Sequence, residues 1–253
     1  MERKMAFNDP FATAQTQARA RAVEMDAGLR AYMLKIYNYM ASGLALTGLV
    51  ALFAANSPAL MQLLYTQNAN GAMGPSGLGL LVMFAPLGFV LAMSFGANRM
   101  SFTTLQACYW AFATVMGLSL SSIFLVYTGE SIARTFFITA GTFGAMSLYG
   151  YTTKRDLTGM GSFLMMGLIG LIIASVVNIF LQSSALGFAT SVIGVFIFVG
   201  LTAYDTQKLK AMYYQLTGYG DAIAKASLMG ALNLYMDFIN IFLHLLRFVG
   251  DRR

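Results

Sequence analysis

Apolar residues along this chain come in long runs rather than in the alternation of a half-buried strand. Seven stretches, approximately 32–55, 78–98, 104–127, 132–152, 160–182, 186–207 and 228–249, are each about 20 residues long and almost free of charge. At 1.5 Å rise per residue, a helix of that length crosses the roughly 30 Å hydrocarbon core of a bilayer. The pattern predicts an all-α, polytopic membrane helix bundle with about seven transmembrane helices. Two connections are long: 56–77, rich in Asn, Gly, Ser and Pro and without a charge, and 208–227, which carries Lys208, Lys210, Asp221 and Lys225. Pro86 falls inside the second run, where neighbouring helices can satisfy the carbonyl that it frees. Residues 1–30 are polar and helix-prone and lack the early apolar core of a cleaved signal peptide. They read as a cytoplasmic tail ahead of a membrane domain over 31–253.

Composition agrees with the pattern. Hydrophobic residues make up 58% of the chain and charged residues 10%, where an average soluble protein has about 25% charged. The net charge of +6 sits in tails and short connections, the signature of membrane topology and not of a nucleic-acid groove. One Cys and one His exclude an internal disulfide and the usual zinc, haem and iron–sulfur ligand sets. No cofactor and no firm metal site are expected. The positive-inside rule puts the N-terminus in the cytoplasm, with Arg99, Lys154, Arg155, Lys208, Lys210 and Lys225 on inner connections. A full span by the seventh run then leaves Arg247, Arg252 and Arg253 outside, against that rule.

Acidic residues inside the runs carry the candidate chemistry. Asp237 lies about nine residues, or about 13 Å, into the seventh run, and a carboxylate there must be paired, hydrated or protonated. Asn233, Asp237, Asn240 and His244 fall at spacings of 4, 3 and 4, one stripe on one helix face. The stripe is either a seam of interhelical hydrogen bonds or the wall of a hydrated path. Asp205, in "AYDTQKLK", is placed at the cytoplasmic end of the sixth run, where it either faces water or meets Asp237. Arg99, at the inner end of the second run, is either a headgroup anchor or a counter-charge to Asp205.

The stretches "LYMDFINIFLHLLRFVG", "AYDTQKLK" and "YGYTTKRDLTGMGSFL" resemble the Bax inhibitor-1 family, bacterial branch, from about residue 35 onward. The resemblance implies six helices around a central seventh, residence in the bacterial inner membrane and a pH-sensitive calcium leak. It also implies a proton-sharing pair at Asp205 and Asp237, with Arg99 as a latch to Asp205 and transient calcium near the two acids. Asn233 and Asn240 are further candidates for the ion pathway. Calcium ions, protons, lipid and a membrane protein partner, such as a protease, are the expected partners. One departure stands out: relatives with a described leak carry a glutamate in the second helix, and the matching place here is near Gly88, in a helix without an acid. An enzyme is not expected. "YMDF" lacks the Gly-x-Gly-Asp pattern of intramembrane aspartyl proteases, and no Gly-x-Ser-Gly accompanies His244. A regulator that binds another membrane complex through residues 1–30 is the alternative function.

Overall fold

The computed structural model describes residues 10–67, 73–216 and 220–253, with residues 10–23 described as backbone only. Long helices follow the apolar runs: α1 (Pro10–Ala55), α3 (Gly77–Gly96), α4 (Phe102–Leu120), α6 (Gly129–Thr152), α7 (Thr158–Leu181), α8 (Ser184–Leu216) and α9 (Gly220–Val249). The connection 56–77 holds a short helix α2 (Pro58–Leu64) and an antiparallel pair, β1 (Tyr65–Gln67) with β2 (Met73–Pro75). One turn of helix, α5 (Ile123–Val126), joins α4 to α6. Ser76, Ser101 and Thr128 cap α3, α4 and α6 by accepting from the backbone N–H three residues on, which satisfies donors that a helix start leaves free.

The expected seventh helix is the axis of the molecule. α9 packs against α1, α4, α6 and α8, while α3 leans on α4 and α7 on α8. In their most apolar windows 67% of α9 is buried, against 6% of α7. α7 instead turns Phe163, Met166, Ile169, Ile172, Ile173 and Phe180 outward, an apolar belt far beyond what a soluble surface carries. Six of the long helices are apolar enough to cross a membrane. α6 is more polar but as long as α7, and its buried side is a ladder of Ser131, Thr135, Thr139, Phe143, Ser147 and Gly150. Small side chains at nearly every fourth position let the backbones approach closely. At Gly150 a Cβ would run into the Ala203 carbonyl of α8.

Two boundaries differ from the sequence reading. The polar stretch 208–227 is largely helix: α8 continues to Leu216 and α9 begins at Gly220. Hydropathy marks where a chain leaves the hydrocarbon, and a helix need not stop there. α1 likewise runs unbroken across the expected boundary at residue 30, with Gly28 against the Tyr213 ring and Leu29 buried. The basic connections gather at one end of the bundle, where Gln207 bonds the Arg155 carbonyl and the Leu157 N–H, and Lys210 donates to the Tyr151 carbonyl. At the far end the segment 250–253 is fastened to α5 and α6. Arg134 pairs with Asp251 at 2.8 Å, the Asp251 N–H donates to Ser131 Oγ, and the Arg253 N–H donates to the Val126 carbonyl. α9 thus runs the full length of the bundle and carries Arg247, Arg252 and Arg253 to the end opposite the lysine-rich one.

Candidate functional site

The long α8–α9 hairpin sets the depth of both aspartates. Leu209 of α8 lies over Gly230 of α9, and the His244 ring of α9 lies 2.6 Å from where a Cβ of Gly194 would be. These two contacts fix the antiparallel register. Asp205 is one turn from Leu209 and Asp237 two turns from Gly230, so the acids differ by about one turn, roughly 5 Å along the axis. Side chains span that offset, and the two carboxyls are close enough to share a hydrogen bond. Asp205 therefore does not end its helix. It lies eleven residues before Leu216, about 16 Å inside α8. The helix end that the sequence reading puts at Asp205 lies at Leu216 instead.

Asp237 is 5% exposed, and its Oδ2 has no hydrogen-bond partner among the described residues. Asp205 is half-buried, with the charge of Lys208, three residues on, acting on it. Two carboxylates this close in a poorly hydrated site cannot both ionise cheaply, and the arrangement holds together when one proton lies between them. No group of three or more His, Cys, Asp or Glu side chains is placed to hold a metal among the described residues. A tight calcium site takes six to eight oxygens, and this pair falls well short of one.

Beside the acids runs a chain of hydroxyls that the sequence reading missed. Tyr37 of α1 meets Ser147 of α6 at 2.6 Å, Ser147 meets Thr206 of α8 at 2.9 Å, and Thr206 donates to the Thr202 carbonyl at 2.7 Å. It ties three helices together next to Asp205. Its visible signal is the pair Thr202 and Thr206, one turn apart and flanking Asp205 in a mostly apolar helix. A second tie, Tyr235 to Thr47 at 2.7 Å and Thr47 to the Ala113 carbonyl at 2.8 Å, fixes α9 to α1 and α4.

The rest of the predicted set disperses. Asn233 is exposed, and Asn240 donates to the Met236 carbonyl of its own helix. His244 stacks on Phe198 with ring centroids 5.8 Å apart. The 4-3-4 stripe is thus a helix face whose members meet different surroundings. Arg99 is exposed in the turn after α3 and forms no ion pair with Asp205; the basic group within electrostatic reach of that acid is Lys208.

Residues 29–253 match the family described as inhibitor of apoptosis-promoting Bax1. The chain belongs to the Bax inhibitor-1 family. It is 54% identical to protein RP147 of Rickettsia prowazekii over 228 residues, 90% of this chain and 92% of the relative. It is 50% identical to inner membrane protein YbhL of Escherichia coli K12 over 232 residues, 91% and 96% of the two chains. A Caulobacter vibrioides protein is 49% identical over 247 residues, 98% of each. The membrane bundle agrees with the printed name of the Escherichia coli relative, an inner membrane protein. Within this family member, Gly88 is exposed, with nothing within 4 Å of where its Cβ would be.

Proposed function

We propose that this Bax inhibitor-1 family protein is a pH-gated cation leak with calcium as its principal ion. The observation that carries the reading is the contact between Asp205 and Asp237, deep in the bundle and without an ion-paired cation. With a proton between them the two acids tie α8 to α9. Loss of that proton sets like charges against each other and drives Asp205 outward along α8, towards Lys208 and the more distant Arg99, which then latches it. The cation entering the opened space meets two carboxylates and few other oxygens, a site weak enough to release what it binds. By the distribution of Lys and Arg, the N-terminus and the lysine-rich end face the cytoplasm of a bacterial inner membrane. The named location of the Escherichia coli relative supports that setting.

Ion flux into liposomes holding the purified protein, across pH and with calcium and potassium compared, tests the reading. Asp237→Asn keeps shape and hydrogen bonding but removes the partner charge. Its flux-versus-pH curve should flatten or move towards acid. A curve that overlays the unmodified protein at equal reconstituted amounts would sink the paired-aspartate mechanism.

The length of α1 favours a second reading. Its 46 residues extend about 69 Å, more than twice the hydrocarbon thickness, so much of its first half lies outside the membrane as a handle for another membrane complex. Deleting residues 1–23 spares buried Leu29 and Tyr32. Loss of a cellular phenotype with liposome flux intact would favour this regulator reading over the leak.

A further inference from the structure

At the end of the bundle away from the lysine-rich connections, a cavity of about 610 Å³ opens between α7, the 182–183 turn, the start of α8 and the end of α9. Ser175 and Asn178 of α7, Ser183 of the turn and Ser191 of α8 line it with hydroxyl and amide groups, and Arg247 and Arg252 enter from α9 and the segment beyond. Its lining holds no acidic residue. Among the described residues neither guanidinium has an ion pair; Asp251 is taken by Arg134, and Glu130 in the first turn of α6 does not line the cavity. Arg247 and Arg252, both exposed, bring two positive charges to one polar cavity without an acid in its lining, a setting that attracts an anion.

We propose that this cavity binds a phosphate-bearing head group through Arg247 and Arg252. The planar, always charged guanidinium presents paired N–H donors that match two oxygens of a phosphate, which a lysine cannot reproduce. The volume is that of an ordinary small-molecule site, larger than a bare ion needs and sufficient for a phosphate with its attached alcohol. Ile179 and Phe188 supply an apolar side to the same space, suited to the glycerol and first methylenes of a lipid. Ser183, whose Oγ accepts from the Leu186 N–H and keeps its own proton, adds a neutral donor. The site lies on the face of the bundle towards α7, the helix least covered by protein, so a head group reaches it from the bilayer as well as from water. This inference does not rest on the leak reading, since it concerns binding at the opposite end of α9 and is read without flux.

The test uses the full chain purified in detergent. Native mass spectrometry measures retention of phosphatidylglycerol against phosphatidylcholine, and thermal shift with glycerol 3-phosphate at fixed ionic strength reports a soluble phosphate ester. The unmodified protein should retain phosphatidylglycerol over phosphatidylcholine, and the double variant R247Q/R252Q should bind it at least about tenfold more weakly. R247K/R252K, with charge but no fork, should lie between them, and Lys154→Gln, exposed at the opposite end of the bundle, should bind as the unmodified protein does. Binding of glycerol 3-phosphate that R247Q/R252Q abolishes would support the site with a soluble ester as its source. Equal binding of both probes by R247Q/R252Q and the unmodified protein, or binding of neither by the unmodified protein, overturns the proposal.

Discussion

Gly150→Ala adds one methyl group where α6 crosses α8, two residues before Asp205 on the facing helix. The new Cβ would meet the oxygen of Ala203, with the carbonyl carbon and Cα each at 2.9 Å. All three are backbone, so no side chain can rotate aside and the helices must part. Overpacking of this kind costs about 1–3 kcal/mol, and backbone as the obstacle puts the expectation at the upper part of that range. Gly141, on the same helix, has nothing within 4 Å of a Cβ. There alanine should be neutral or gain up to about 1 kcal/mol from helix propensity. Equilibrium unfolding of the two variants in detergent, read against the unmodified protein, isolates the packing effect from the chemical change. The Gly150 variant should also shift the pH dependence of flux, because parting α6 from α8 moves the helix that bears Asp205. If it unfolds at the same denaturant concentration as the Gly141 variant, the close crossing is not what holds α6 in place.

Tyr37→Phe removes the first hydroxyl of the chain through Ser147 and Thr206, and should cost about 1 kcal/mol in the same unfolding assay; Tyr32→Phe, in the same helix and with a buried hydroxyl that has no hydrogen-bond partner among the described residues, serves as its comparison. Lys208→Gln should alter the flux-versus-pH curve of reconstituted protein. If Arg99→Gln and Lys208→Gln add their effects independently, the two cations do not compete for Asp205. Arg134→Ala breaks an exposed pair, with side chains 47% and 70% accessible, and should change stability by less than about 1 kcal/mol. A single cysteine at position 70, with Cys108 replaced, should react with an impermeant reagent in intact cells. Labelling only after lysis would reverse the orientation.

The number of helices and their order could be read from the apolar runs because hydrocarbon thickness dictates their length. α6 was legible by length although its Ser and Thr ladder lowers its hydropathy, for those hydroxyls bond within the bundle. What escaped was where helices end. Lys208 and Lys210 signal exit from the hydrocarbon, yet α8 continues in water to Leu216 and brings Asp205 inward relative to its end. Depth therefore could not be taken from the apolar run alone, and the meeting of Asp205 with Asp237 needed the register fixed by Gly194 and Gly230. The stripe from Asn233 to His244 failed for another reason: helical spacing says which residues share a face, not what each meets along 16 Å of helix.

The central position of α9 bears on how the protein is made. Every helix that encloses α9 precedes it in the chain, so those helices enter the bilayer while the space at their centre still lacks its occupant. α9 is also less apolar than α7, and it carries an acid that lipid would not accept. Its insertion is drawn by a groove of waiting side chains, among them Thr47 for the Tyr235 hydroxyl and Asp205 for Asp237. Until it arrives the earlier helices are a half-built intermediate with polar groups exposed to lipid, the form that membrane quality-control proteases and insertases are positioned to meet. A released chain truncated just before residue 220 would display that intermediate, and the full chain with α9 would withdraw it.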